Sequence, residues 1–203
     1  MTGLELWAAG VGIPGAAARR AQRLEDEGWA GLGVVDSQCL AGDPFVALAL
    51  AGAATSTLRL ATAVTNSATR HPAALATAAA SVHAESGGRF VLGIGRGDSA
   101  LAYLGLSPAP VRQFDHYLER LQGFLSGRPV PFDLETDAVG GLTSSSALGM
   151  DGGPTESGLK WLRRDAPKVP VDVAASGPRV IDVAARRADA ITFAVGVDPA
   201  RLG

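Results

Sequence analysis

Cysteine is nearly absent. Cys39 is the single one among 203 residues, so no disulfide framework and no thiolate metal cluster can be built. Histidine is scarce too: His71, His83 and His116 are the full set, no two share a helix face at ligand spacing, and no metal site is expected. Neither charge dominates. Lys and Arg number 18 against 20 Asp and Glu, with the signs interspersed, which argues against a nucleic-acid partner. No apolar run reaches the ~18 residues of a membrane span, and no secretory leader pattern opens the chain. The expectation is a soluble, cytoplasmic protein without a membrane partner. The sequence also has no G-x-S-x-G nucleophile elbow, no P-loop and no G-x-G-x-x-G dinucleotide turn.

What is abundant is alanine and glycine, with 26 glycines and only 5% aromatics, a composition suited to helices packed closely on strands. The spacing predicts strands over 4–9, 32–35, 58–64, 90–94, 169–173 and 190–195. Helices are predicted over 16–27, 45–54, 73–84 and 111–125, with another after Ser176-Gly-Pro178 that turns Val180, Ile181, Ala184 and Ala188 inward. Asp43-Pro44 is a cap followed by proline at the first helical position, and Gly28 is placed to stop the first helix. Asp198-Pro199 resembles the cap of one further helix. The paired arginines, Arg19-Arg20, Arg163-Arg164 and Arg186-Arg187, read as solvated helix faces.

Strand and helix alternate throughout, the pattern of a parallel α/β sheet with right-handed crossovers. A doubly wound sheet and a (β/α)8 barrel both fit. The missing dinucleotide turn weakens the first, and polar, glycine-bearing loops at several strand ends favour the second. The expectation is a TIM-type (β/α)8 barrel truncated after about six strands, a single domain over 1–203 with a flexible Gly/Ser-rich insertion at about 133–165 and a helical turn at 159–162. Eight-strand closure should be absent or made by another chain.

The stretch Arg89-Phe-Val-Leu-Gly-Ile-Gly-Arg-Gly-Asp98 is the most distinctive. An unalternating apolar strand, buried on both faces, runs into a G-x-G-x-G-D turn. The spacing fits a tight strand-to-helix turn or a ligand-facing loop. Ser176-Gly177-Pro178 sets a hydroxyl and free N–H groups at a helix start, where an anion is favoured; a plain cap fits equally. Arg179 beside it adds charge or is solvated.

Val64-Thr-Asn-Ser-Ala-Thr-Arg-His-Pro72 together with Ser86-Gly-Gly-Arg-Phe-Val-Leu-Gly-Ile-Gly-Arg-Gly-Asp98 resembles the luciferase-like flavin and deazaflavin oxidoreductases, and within them the group named methylenetetrahydromethanopterin reductases. Val171-Asp-Val-Ala-Ala-Ser-Gly-Pro178 and Ala188-Asp-Ala-Ile-Thr-Phe-Ala-Val-Gly196 are similar to the fifth and sixth strands of that family. The resemblance implies coenzyme F420 as cofactor, with FMN as the alternative, its ring at the C-terminal mouth of the strands, and hydride transfer to a small organic substrate. It implies a bulge with a non-prolyl cis peptide at the end of the third strand, within Ala63-Val-Thr-Asn66. It also places the cofactor phosphate at Ser176, Gly177 and Pro178 and near Gly95, Gly97 and Asp98.

Val64, Thr65 and Asn66 then join the cofactor-binding set, with an Asx-type turn as the other reading of Thr65 and Asn66. Asp36 is the catalytic candidate, hydrogen-bonding the ring or positioning a proton donor; a carboxylate that caps local N–H groups is its alternative. Asp98 reads first as a helix cap. Arg70 and His71 lie near the third-strand mouth, in reach of phosphate or substrate or in structural roles. Two rival activities stay open: an FMN-dependent monooxygenase, and a catalytically incomplete barrel that acts through association, since open sheet edges invite pairing into a homo-oligomer.

Overall fold

The computed structural model describes residues 4–133, 149, 152–163 and 165–193. The chain begins with β1 (Trp7–Val11), α1 (Ala17–Asp26), β2 (Gly31–Val35), α2 (Pro44–Ala54), β3 (Arg59–Thr62) and β4 (Thr65–Asn66). It continues with α3 (Pro72–Glu85), β5 (Phe90–Gly95), a 3-10 turn (Leu101–Leu104), α4 (Val111–Leu125) and β6 (Val130–Pro131). The last described elements are β7 (Glu156–Ser157), β8 (Val171–Ala175), α5 (Pro178–Arg187) and β9 (Ala190–Phe193).

Seven strands form one parallel sheet in the order β1-β2-β3-β5-β8-β9, with β4 paired to β5 as the second half of the interrupted third strand. Six barrel positions are thus filled, as expected, and β1 and β9 are the two edges of a sheet that does not close among the described residues. The core lies between this sheet and the helices, where Leu48, Leu60, Leu75, Phe90, Leu92, Phe114 and Leu118 are fully buried.

Local chemistry sets most boundaries. Asp43 Oδ1 accepts from the Phe45 and Val46 N–H groups and opens α2. Gly28 takes a positive φ of 80° and stops α1. The 3.6-residue repeat of α4 buries Phe114, Leu118, Leu121 and Leu125 on the predicted face. Two tertiary anchors fix the N-terminal end of the sheet. Arg89 donates to the carbonyls of Gly52, Thr55 and Leu58, meeting acceptors at the end of α2. Glu25 accepts from the N–H groups of Ser56, Thr57 and Leu58, which holds its carboxyl well down, at about 2.

Several expectations shift. The first strand starts at Trp7 rather than Leu4, which is 90% exposed. Trp7 pairs with Gly31, and its ring fills the space a side chain at Gly31 would need, 2.5 Å away; Leu4 and Leu6 stay exposed before the strand. In α5 the buried pair is Val183 and Ala184, while Val180, Ile181 and Ala188 are half-buried. The Arg186-Arg187 pair is not simply solvated. Arg187 Nε and Arg186 Nη2 reach Asp115 on α4 at 2.7 and 3.1 Å, because α5 packs alongside α4. Their guanidinium groups hold Asp115 below the usual carboxylate range against the opposing effect of burial. Arg20 donates to the Ala9 carbonyl, whereas Arg163, paired with Asp165, is 79% exposed as expected, and Arg164 lies outside the described residues. The excursion at 133–165 has an ordered base, where β6 and β7 pair antiparallel; the turn expected at 159–162 forms, Leu162 N–H donating to Leu159. The Gly/Ser run at 140–146, the end of the sixth strand at 194–195 and the Asp198-Pro199 cap lie outside the described residues.

Candidate functional site

The predicted site residues meet at the C-terminal ends of the strands. A cavity of about 220 Å³ there is lined by Asp36 after β2, Val64, Thr65 and Asn66 at the third-strand break, Gly95, Gly97 and Asp98 after β5, and Ser176 after β8. Gly177 and Pro178 do not line it; they are the N-cap and first residue of α5. Arg96, within the expected Gly95–Asp98 turn, lines it as well, and Ser37, Ser99 and Ala174 are lining residues that sequence reasoning missed, each one or two positions from a predicted one, at a strand end. Two larger depressions lie elsewhere, lined at the N-terminal side of β5 and beside α4, and hold none of these residues.

The break in the third strand carries the geometry. The Ala63–Val64 peptide is cis, within the stretch where the resemblance implied one. The neighbouring strand is shaped to receive it. A methyl at Gly93 would stand 2.1 Å from the Thr62 carbonyl oxygen, and one at Gly95 would stand 3.3 Å from Val64. Thr62 Oγ1 locks the contact by donating to the Gly93 carbonyl at 2.7 Å. Gly97 adopts φ 89°, the left-handed region that favours glycine. Two of the three glycines therefore make room for the neighbouring strand and its break, and the third makes the turn.

Asp36 is 4% exposed and has three donors. Gln38 Nε2 donates to Oδ1 at 2.7 Å; Thr65 Oγ1 and Arg70 Nη1 donate to Oδ2, each at 2.6 Å. Arg70 Nη2 reaches Asp43 Oδ2 at 2.6 Å, and the guanidinium carbon lies 5.0 Å from the Phe45 ring centroid. Arg70 thus bridges two carboxylates, and His71 Nδ1 accepts from Ala73 N–H as the cap of α3. Both side chains have structural partners.

Asn66 makes the Asx turn of its second reading and keeps one amide donor over. Its Oδ1 accepts from the Ala68 and Thr69 N–H groups, an Asx turn, which leaves Nδ2 as a donor. Asn66 is 1% exposed and its Nδ2 has no partner. A buried donor without an acceptor is unfavourable, and one beside a cavity fits a ligand that brings an acceptor. Asp98 is exposed and does not cap the following turn, contrary to the first reading. The 3-10 turn starts at Leu101 with Ala100 as its N-cap, and Leu101 N–H donates to Gly97. Ser176 likewise is not the cap of α5, so its hydroxyl is left at the helix start. Among the described residues no group of three or more His, Cys, Asp or Glu could hold a metal, and no helix is long and apolar enough to cross a membrane.

Parallel strands ending in a ligand-sized hollow, with the polar groups on the loops after them, define a (β/α)-barrel type of enzyme scaffold. The particular family follows from the sequence. The chain belongs to the luciferase-like monooxygenases, the match covering residues 8–203. It is 27% identical over 151 residues to a 5,10-methylenetetrahydromethanopterin reductase of Methanolobus tindarius, covering 73% of this chain and 41% of that one. The fold is similar to that of the coenzyme F420-dependent tetrahydromethanopterin reductase of Methanopyrus kandleri, with TM-score 0.73, 21% identity, and 94% of this chain against 55% of the other. It is also similar to the oxygenating constituent of 3,6-diketocamphane monooxygenase from Pseudomonas putida in complex with FMN. There the TM-score is 0.63 and the identity 16%, over 86% and 52% of the two chains. The chain spans about half the length of these relatives. They include an F420-dependent reductase and an FMN-bound monooxygenase, which leaves the choice between the two cofactors open.

Proposed function

We propose that the hollow holds the ring of a flavin-type cofactor, coenzyme F420 in the first instance, and that the protein is an oxidoreductase acting on a small organic substrate. The observation that carries this is Asn66, whose Nδ2 is buried without a partner beside a cavity at the catalytic end of the sheet. When bound, the ring supplies the two-electron chemistry, and the protein supplies orientation, electrostatics and dryness. Asn66 Nδ2 donates to an acceptor on the ring edge. Gly95 and Gly97 keep the wall free of side chains, and Ser176 with the start of α5 holds phosphate. Asp36, with three donors already on it, serves by fixing Thr65 and Arg70 in place rather than by carrying a proton.

Absorption titration of the chain with F420 and with FMN tests this. The expected result is saturable F420 binding, weakened about tenfold in Asn66→Ala by the loss of one hydrogen bond. Preferential FMN binding would select the monooxygenase reading, for which the FMN-bound neighbour is the support. Binding of neither would refute the cofactor reading. The open edges β1 and β9, where Trp7 and Phe193 are 36% and 57% exposed, support a further reading in which the chain works through association into a homo-oligomer. In sedimentation velocity, a monomer that still binds F420 would sink that reading.

A further inference from the structure

A cavity of about 250 Å³ lies at the opposite end of the sheet from the mouth, lined by Ala80, Ala84, Leu125, Leu162, Pro167 and His83 among others. Among the described residues His83 is the one polar side chain in its wall, and no charged side chain joins it. The ring is 6% exposed, with Nδ1 2.8 Å from the Phe90 carbonyl oxygen. A carbonyl only accepts, so Nδ1 carries the hydrogen, and in the neutral ring Nε2 carries the lone pair. Nε2 is buried and has no partner. A methyl at Gly88 would stand 3.8 Å from Nε2, so the glycine leaves that side of the ring uncrowded.

We propose that this base cavity is a second small-molecule site, for a compact, largely apolar ligand with a single hydrogen-bond donor, of the phenol or small-alcohol class, whose donor meets His83 Nε2. An apolar wall of this size accepts one ring. The described lining gives anions and cations no charged side chain to pair with, and the lone acceptor selects for an O–H or N–H group. The site is independent of the mouth: it shares no lining residue with it.

The test is titration of the ¹⁵N-labelled chain with phenol, with toluene as the ring that lacks the donor, observing the histidine ring nitrogens and the backbone amides around 80–90 and 162–169. Phenol should bind about tenfold more tightly than toluene, the worth of one hydrogen bond to an otherwise unpaired acceptor. It should also move the His83 Nε2 resonance, which toluene should not. Ala84→Phe, which fills the cavity from an exposed helix position, should abolish both. His83→Phe should erase the preference for phenol where the variant folds. Equal binding of the two rings, an unmoved Nε2 resonance at saturating phenol, or binding that survives Ala84→Phe would each overturn the proposal.

Discussion

Replacing Arg70 by methionine removes the positive charge from between two carboxylates and keeps a stem of similar length over Phe45. The two arms are unequal. Asp36 is 4% exposed and Arg70 21%, so this arm is a largely buried pair, whereas Asp43 is 45% exposed. Breaking a buried pair costs about 3–5 kcal/mol because the surviving charge is uncompensated. The exposed arm adds no more than about 1 kcal/mol. Thr65 and Gln38 still donate to Asp36 and soften the loss, which puts Arg70→Met at about 3 kcal/mol. Asp36→Asn leaves Arg70 its half-exposed partner Asp43 and should cost about 1–2 kcal/mol. The double variant has no buried charge left. It should fall about 2 kcal/mol short of the sum of the singles, a coupling typical of residues in one network. Urea denaturation followed by circular dichroism, with unchanged m-values, measures all three. Additive effects, or a cost below about 1 kcal/mol for Arg70→Met, would refute the picture of a buried charge held by one guanidinium.

Gly93→Ala places a methyl 2.1 Å from a backbone carbonyl, which no rotamer change relieves, and should cost about 3 kcal/mol or more together with cofactor affinity; a thermal melt and titration like those of the parent chain would refute the packing argument. The Glu25 carboxyl lies at about 2, below its ordinary 4.5, chiefly because Thr57 N–H donates to it, with Leu58 and Ser56 adding to the effect. A depressed carboxyl stabilises the fold above pH 4.5, and that share is lost as pH falls toward 2. After discounting for solvent screening, Glu25→Gln should cost about 1–2 kcal/mol at neutral pH. The gap from the parent should shrink to under roughly half at pH 3; a gap independent of pH would show that the hydrogen bonds do not depend on the charge.

The site was legible where it depends on strand ends. The expected strands stop at Val35, Val64, Ile94 and Val173, and the short polar, alanine or glycine residues after them line one cavity. The alternation of elements was equally plain, and α4 matched its expected bounds and buried every residue of the expected face except the half-buried Val111. What stayed hidden are contacts between residues far apart in sequence. Nothing around Arg89 or Glu25 announces that one serves the end of α2 and the other the loop before β3. The glycine triplet signalled close approach without saying to what, and what a side chain at Gly93 would meet is the carbonyl of Thr62, 31 residues earlier. Trp7 over Gly31 slid the first strand toward its C-terminus, because a hydrophobic count cannot see which glycine leaves a slot.

The Asp36–Arg70–Asp43 bridge has a consequence for how this scaffold can diversify. It pins both ends of the loop from Ser37 to Gly42, while the middle, with Cys39 and the 54% exposed Leu40, stands clear. A segment with clamped feet and a free crown can lengthen outward at small entropic cost, since closure rises only with the logarithm of length. Insertions there would reshape the approach to the hollow and leave its floor intact, making this loop the natural place for the scaffold to vary.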